Sequence, residues 1–160
     1  MNTDPLCTQL AEALQQRGWM MATAESCTGG MIAAACTALS GSSNWFERGY
    51  VTYSNEAKAE SLGVDPAAIA SHGAVSEVVA RAMAFGAARH SRAQAAVAVT
   101  GVAGPTGGTP DKPVGTVWFG FSVDGRLSSE TVRFDGGRAA VREATTKHAL
   151  ERLLALVRAA

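Results

Sequence analysis

The sequence predicts a three-layer α/β/α domain built on a mixed β-sheet. Helical and strand-like patterns alternate through the first two-thirds of the chain, a hairpin signal follows at Asp124-Gly125, and an amphipathic helix closes the sequence. With 160 residues, 47% of them hydrophobic, the chain suffices for one sizeable core and is short for two, so a single domain over 1–160 is expected.

Leu6, Leu10, Ala13 and Leu14 recur at helical spacing between Pro5, which opens a helix, and Gly18, which closes one. The apolar run Gly18 to Ala24 reads as a strand, and Glu25 to Gly30 turns it into an alanine-rich helix over Met31 to Leu39. Arg48 to Ser54 has the β-branched and aromatic content of a second strand, and Asn55 reads as the N-cap of a helix over Glu56 to Leu62. Asp65-Pro66 opens a short helix ending near His72-Gly73, and Ser76-Glu77 a longer one running to about His90. Ala95 to Thr100 is the third strand, and the Gly- and Pro-rich stretch Gly101 to Pro113 is a loop long enough to suggest a functional role. Gly115 to Val123 and Leu127 to Phe134 form the hairpin. Gly136-Gly137 then releases a helix whose apolar face includes Val141, Leu150, Leu153, Leu154 and Val157.

Several function classes are disfavoured at once. Fourteen basic and fourteen acidic residues cancel, so no overall field invites nucleic acid, and any phosphate must be met by a few placed groups. No apolar segment is long enough for a signal sequence or a membrane span, so a cytoplasmic protein with no membrane partner is expected. Cys7, Cys27 and Cys36 are odd in number and lack CxxC spacing, which argues for reduced thiols and no zinc. No His, Asp or Glu cluster has metal spacing, no GxGxxG follows the first strand and no Walker loop occurs, so no metal and no cofactor are expected. The amphipathic terminal helices and an exposed Trp45 point to a homo-oligomer, with a homodimer expected.

In open α/β sheets ligands collect beyond the carboxyl ends of strands, and three segments leave strands there. The turn holding Ser26, Cys27, Thr28, Gly29 and Gly30 puts a hydroxyl before a helix N-terminus, where amides and the helix dipole favour developing negative charge. Read locally, the plainer role for Ser26 is an N-cap in a glycine-rich turn, and Cys27 is a rival nucleophile whose histidine partner would be His72, His90 or His148. Lys58 is the best-placed base for a serine, with Tyr53 near it to relay a proton or hold the departing nitrogen. Such a lysine must be neutral near pH 7, which only burial or a neighbouring cation can drive; in isolation it reads as a solvated lysine paired with Glu56 or Glu60. Thr100, Gly101 and Gly104 begin a loop that is either a cradle for ribose or phosphate oxygens or a plain surface turn. Arg138 and Arg142, one turn apart at the start of the last helix, oppose its dipole and so hint at an anion, although surface exposure explains them too.

Six blocks, taken together and in order, resemble one family. They are Thr23 to Gly30, Gly41-Ser42-Ser43 with Trp45 to Gly49, Thr52 to Lys58, His72 to Glu77, Thr100 to Pro105, and Lys112 to Val117. The family is that of the nicotinamide mononucleotide amidohydrolases, also known as the C-terminal domain of the competence/damage-inducible protein CinA. The resemblance spans nearly the whole chain. It implies hydrolysis of the carboxamide of nicotinamide mononucleotide by a serine nucleophile, which falls on Ser26, assisted by a lysine, which falls on Lys58, with Tyr53 nearby. Ser43 joins the substrate-binding set through its block. The resemblance also implies a stand-alone enzyme, because 160 residues leave no room for the larger N-terminal domain of longer CinA proteins. Where the family usually has Gly-Asp-Arg, this chain has Gly136-Gly137-Arg138, which keeps Arg138 for phosphate. One of Tyr53, Trp45 and Phe46 is expected to stack on the cationic ring. The alternative from another class is a nucleotide-binding module without turnover, with Ser26 merely a cap.

Overall fold

A computed structural model describes residues 1–160. It has five strands, β1 (Met21–Glu25), β2 (Phe46–Val51), β3 (Ala95–Gly101), β4 (Thr116–Val123) and β5 (Arg126–Arg133). Six helices accompany them: α1 (Asp4–Gln16), α2 (Met31–Thr37), α3 (Asn55–Leu62), α4 (Pro66–His72), α5 (Glu77–Arg89) and α6 (Arg138–Ala159). The sheet order is β2-β1-β3-β4-β5, with β1 parallel to both its neighbours and β4 antiparallel to both of its own. The result is the expected α/β/α sandwich on a mixed sheet.

Strand alternation assigns the two faces. Met21, Ala95, Val97, Val99, Phe119 and Phe121 point into a core shared with α1, α2 and α6. Ala22, Ala24, Ala96 and Ala98 point the other way, against α3, α4 and α5. Those alanines let α5 lie close on the sheet: a Cβ on Gly120 would sit 2.1 Å from the Ala80 carbonyl oxygen of α5. At the hairpin, Asp124 and Gly125 both have positive φ (50° and 79°), as a two-residue turn of the I′ kind needs. The apolar stripe predicted for α6, Val141, Leu150, Leu153, Leu154 and Val157, is buried throughout. No helix is long and apolar enough to cross a membrane.

Four local expectations are corrected. The first strand begins at Met21, because Gly18 still caps the preceding helix through its bond to the Gln15 carbonyl. The second runs Phe46–Val51 and stops before Thr52, where the backbone bends away toward Lys58. Ser54, not Asn55, is the N-cap of α3, its hydroxyl accepting from the Ala57 amide at 3.0 Å. Trp45 is 2% exposed and packs in the α1/α2/α6 core, so it offers no surface for a dimer.

Candidate active site

The carboxyl ends of β1, β2 and β3 lie side by side, and the chain leaves each of them into one cleft. β1 delivers Ser26, the turn after β2 leads to Lys58 on α3, and β3 runs into the loop from Thr100 through Gly107. The N-terminus of α6 adds Arg138. Together they line a cavity of about 300 Å³.

At its floor, the Lys58 amine lies 3.1 Å from the Ser26 hydroxyl, 3.1 Å from the Thr52 carbonyl and 3.1 Å from the Tyr53 carbonyl. The Ser54 carbonyl is a longer contact at 3.5 Å. Lys58 is 1% exposed and has no carboxylate partner, so burial holds its pKa below the ordinary lysine value, against an opposing influence from Cys27. The local fold explains the placement. Lys58 is the fourth residue of α3, and helical side chains slant toward the N-terminus, which aims the amine back over Thr52 and Tyr53. A neutral amine has two N–H groups and one lone pair. In that form the two carbonyls at 3.1 Å accept its N–H groups and its lone pair can accept the serine proton, whereas an ammonium would donate to the hydroxyl as well.

Ser26 is not an N-cap. α2 starts five residues later behind Gly30, and its first amides are held by a residue that sequence reasoning left unassigned. Glu25, fully buried at the end of β1, accepts from the Ile32 and Ala33 amides at 2.9 and 3.0 Å and from the Thr28 hydroxyl at 2.5 Å. The available signal was an acid closing an apolar strand just before a helix N-terminus, where a carboxylate satisfies orphan donors. Thr28 therefore gives its hydroxyl to Glu25, and neither it nor Gly29 or Gly30 lines the cavity wall.

Cys27 lines the cavity, but burial pushes its thiol up to about 12, so at neutral pH it holds its proton. None of His72, His90 and His148 lines the cavity. Thr100, Gly101 and Gly104 do, the Thr100 hydroxyl being fixed by the Ala74 carbonyl at 2.9 Å.

Arg138 reaches the cavity and donates to the Gly104 carbonyl at 3.0 Å and to the Tyr53 hydroxyl at 3.3 Å. Tyr53 is 62% exposed, and the structure places its hydroxyl beside Arg138, while its backbone carbonyl is what faces Lys58. Arg142 does not reach the cavity and turns instead to the carbonyls of Cys27 and Thr28. Ser43 sits in the 3₁₀ turn Ser42–Asn44 ahead of β2, at the opposite end of the parallel strands, and is exposed. Trp45 and Phe46 lie at that same far end, so of the three aromatic candidates only Tyr53 borders the cavity. Asn55 also lines it, its side chain freed because Ser54 makes the cap.

These features define a class: an α/β/α protein in which a serine hydroxyl on a strand-to-helix turn faces a buried lysine amine at the floor of a small-ligand cavity. The chain belongs to the CinA C-terminal domain family, whose pattern matches residues 3–157. It is 52% identical over 149 residues to the nicotinamide-nucleotide amidohydrolase PncC of Escherichia coli K12, covering 92% of this chain and 90% of that one. A solved CinA superfamily protein from Klebsiella pneumoniae superposes with a TM-score of 0.95 at 39% identity over all of both chains. A competence/damage-inducible protein from Agrobacterium tumefaciens gives 0.93 at 45% identity, covering 98% of this chain and 96% of that one.

Proposed function

We propose that this protein hydrolyses the carboxamide of nicotinamide mononucleotide to nicotinate mononucleotide and ammonia, with Ser26 as nucleophile and Lys58 as its base. The observation that carries the reading is the 3.1 Å contact between a buried lysine amine and a serine hydroxyl in a cavity. The amidohydrolase name of a relative 52% identical to the chain supports the choice of substrate.

Neutral Lys58 takes the Ser26 proton as the oxygen attacks the carboxamide carbon. The oxyanion is met by the amide of Cys27, which lines the cavity and donates to no protein acceptor. The C–N bond then breaks, Lys58 returns the proton to the departing nitrogen, and ammonia leaves an ester on Ser26. Water, deprotonated by the same amine, releases the acid and restores the serine. Arg138 spends two of its five N–H groups on Gly104 and Tyr53, so the rest remain for a phosphate. The protein acts in the cytoplasm on this small molecule, without nucleic acid or membrane, as a homo-oligomer.

Ammonia release from nicotinamide mononucleotide by the purified protein is the test. Ser26→Ala is expected to abolish turnover while Cys27→Ala keeps most of it. Stoichiometric binding without ammonia would instead establish a nucleotide-binding module, and the reverse pattern of the two variants would move the nucleophile to the thiol.

A further inference from the structure

Arg142 is the one arginine near the cleft that faces away from it, and its partners are unusual. Its Nε donates to the Cys27 carbonyl at 3.0 Å and an Nη to the Thr28 carbonyl at 3.2 Å, two successive peptides of the turn that carries Ser26. In a trans peptide the carbonyl and the N–H point in opposite directions, so fixing one aims the other.

The Cys27 carbonyl held by Arg142 turns the Thr28 N–H to the opposite side of the turn. The Thr28 carbonyl, held the same way, turns the Gly29 N–H inward, where it donates to the Ser26 carbonyl at 3.0 Å. That bond in turn fixes the Ser26–Cys27 peptide and aims the Cys27 N–H. The Cys27, Thr28 and Gly30 amides have no protein acceptor, and of these residues only Cys27 lines the cavity, whereas the Gly29 and Met31 amides bond within the turn. On the other side Glu25 holds the Thr28 hydroxyl, so the turn is braced from both flanks. Gly29 completes the fit: its φ of +58° suits glycine, and a Cβ there would lie 3.3 Å from the Arg142 guanidinium.

We infer that Arg142 is a positioning residue that sets the Cys27 amide, which faces the cavity, for the oxyanion, and that it takes no part in holding a phosphate. The inference rests on the serine-nucleophile reading above and assigns a donor of its oxyanion site. A lysine in its place keeps the charge but lacks the planar fork needed to hold two carbonyls at once.

The test compares Arg142→Lys and Arg142→Ala with the wild type in ammonia release from nicotinamide mononucleotide, with circular dichroism confirming the fold of each. The expected result is a kcat lowered by about 10²-fold, the scale of losing an oxyanion donor, with KM little changed. Millimolar guanidinium is expected to restore part of the kcat of Arg142→Ala, a gain that a merely structural role would not give. Unchanged kcat in the folded Lys variant, or a KM that rises for the nucleotide but not for its riboside, overturns the inference. Acylation of Ser26 by p-nitrophenyl acetate, followed by the mass of the intact protein, reads the same role without the nucleotide. Slower acylation of the variants beside a wild type that releases no ammonia would overturn the substrate and keep the positioning role; equal acylation overturns the role.

Discussion

A lysine that must act as a base is defined by what surrounds its nitrogen, and at Lys58 the surroundings are two peptide carbonyls, a hydroxyl and no carboxylate. Burial lowers its pKa by penalising the ammonium, so the neutral form that the proposed mechanism requires gains population as pH rises and is lost as pH falls through the folded-state value. The expected pH profile of kcat/KM therefore rises with pH on a single ionisation and levels off below the ordinary lysine value of about 10.4. Lys58→Arg, which cannot lose its proton, is expected to remove that limb and lower kcat by about 10²–10⁴-fold. A wild-type profile that keeps climbing past pH 10 would show an unperturbed lysine. Cys27 obeys the same physics with the opposite consequence, since burial that favours a neutral amine also keeps a thiol protonated. The resemblance to a family pointed to Ser26 and Lys58, whereas the local pattern read them as a cap and a solvated lysine, because nothing local distinguishes a lysine over carbonyls from one in water.

At the scale of the element, the site depends on how closely α3 docks, because that helix carries Lys58. Its last residue, Leu62, meets α5 at Gly86, where a Cβ would fall 2.0 Å from the Leu62 carbonyl oxygen. Gly86→Ala must push the two helices apart, and the expected cost is about 1–3 kcal/mol of stability from overpacking. The displaced α3 also carries the amine away from Ser26, so activity is expected to fall more than the folded fraction does. Urea unfolding and kcat measured on the same preparation check both; a stable variant with full activity would mean that α5 yields without moving α3. The order and type of the elements were legible because each is announced locally, by Pro5, Asp65-Pro66 and Ser76 at helix starts and by Asp124-Gly125 between strands. Two of the boundaries that failed, the end of β2 and the cap of α3, lie beside the site. Thr52 and Tyr53 have strand-like composition yet leave the sheet so that their carbonyls face Lys58, a contact that strand propensity does not encode. Ser43 and Arg142 stand outside the cavity for another reason: a motif shows which residues occur together in sequence, while the fold sends Ser43 to the far end of the strands and turns Arg142 onto the backbone.

Over the whole molecule, the cavity is walled by Ser26, Lys58, the Thr100 to Gly107 loop and Arg138, segments distributed over more than a hundred residues that meet only in the folded chain. A ligand touching all of them binds the native state and not the unfolded one, so occupancy must appear as stability. With Ser26→Ala blocking turnover, nicotinamide mononucleotide at 100 times its Kd is expected to add about 2.7 kcal/mol. For a chain of this size that corresponds to a rise in Tm of about 5–10 °C. The zero net charge matters here, because no global field draws the phosphate in and the local guanidinium of Arg138 must supply the attraction. Adding Arg138→Ala is therefore expected to remove most of the shift given by the nucleotide and little of that given by its riboside. Raising salt should weaken the nucleotide's shift selectively, since an exposed arginine is screened by mobile ions. Melting curves of the single and double variants with each ligand decide the matter. Equal shifts from the two ligands, insensitive to residue 138, would place the phosphate outside the cavity and leave the amide end to carry recognition alone.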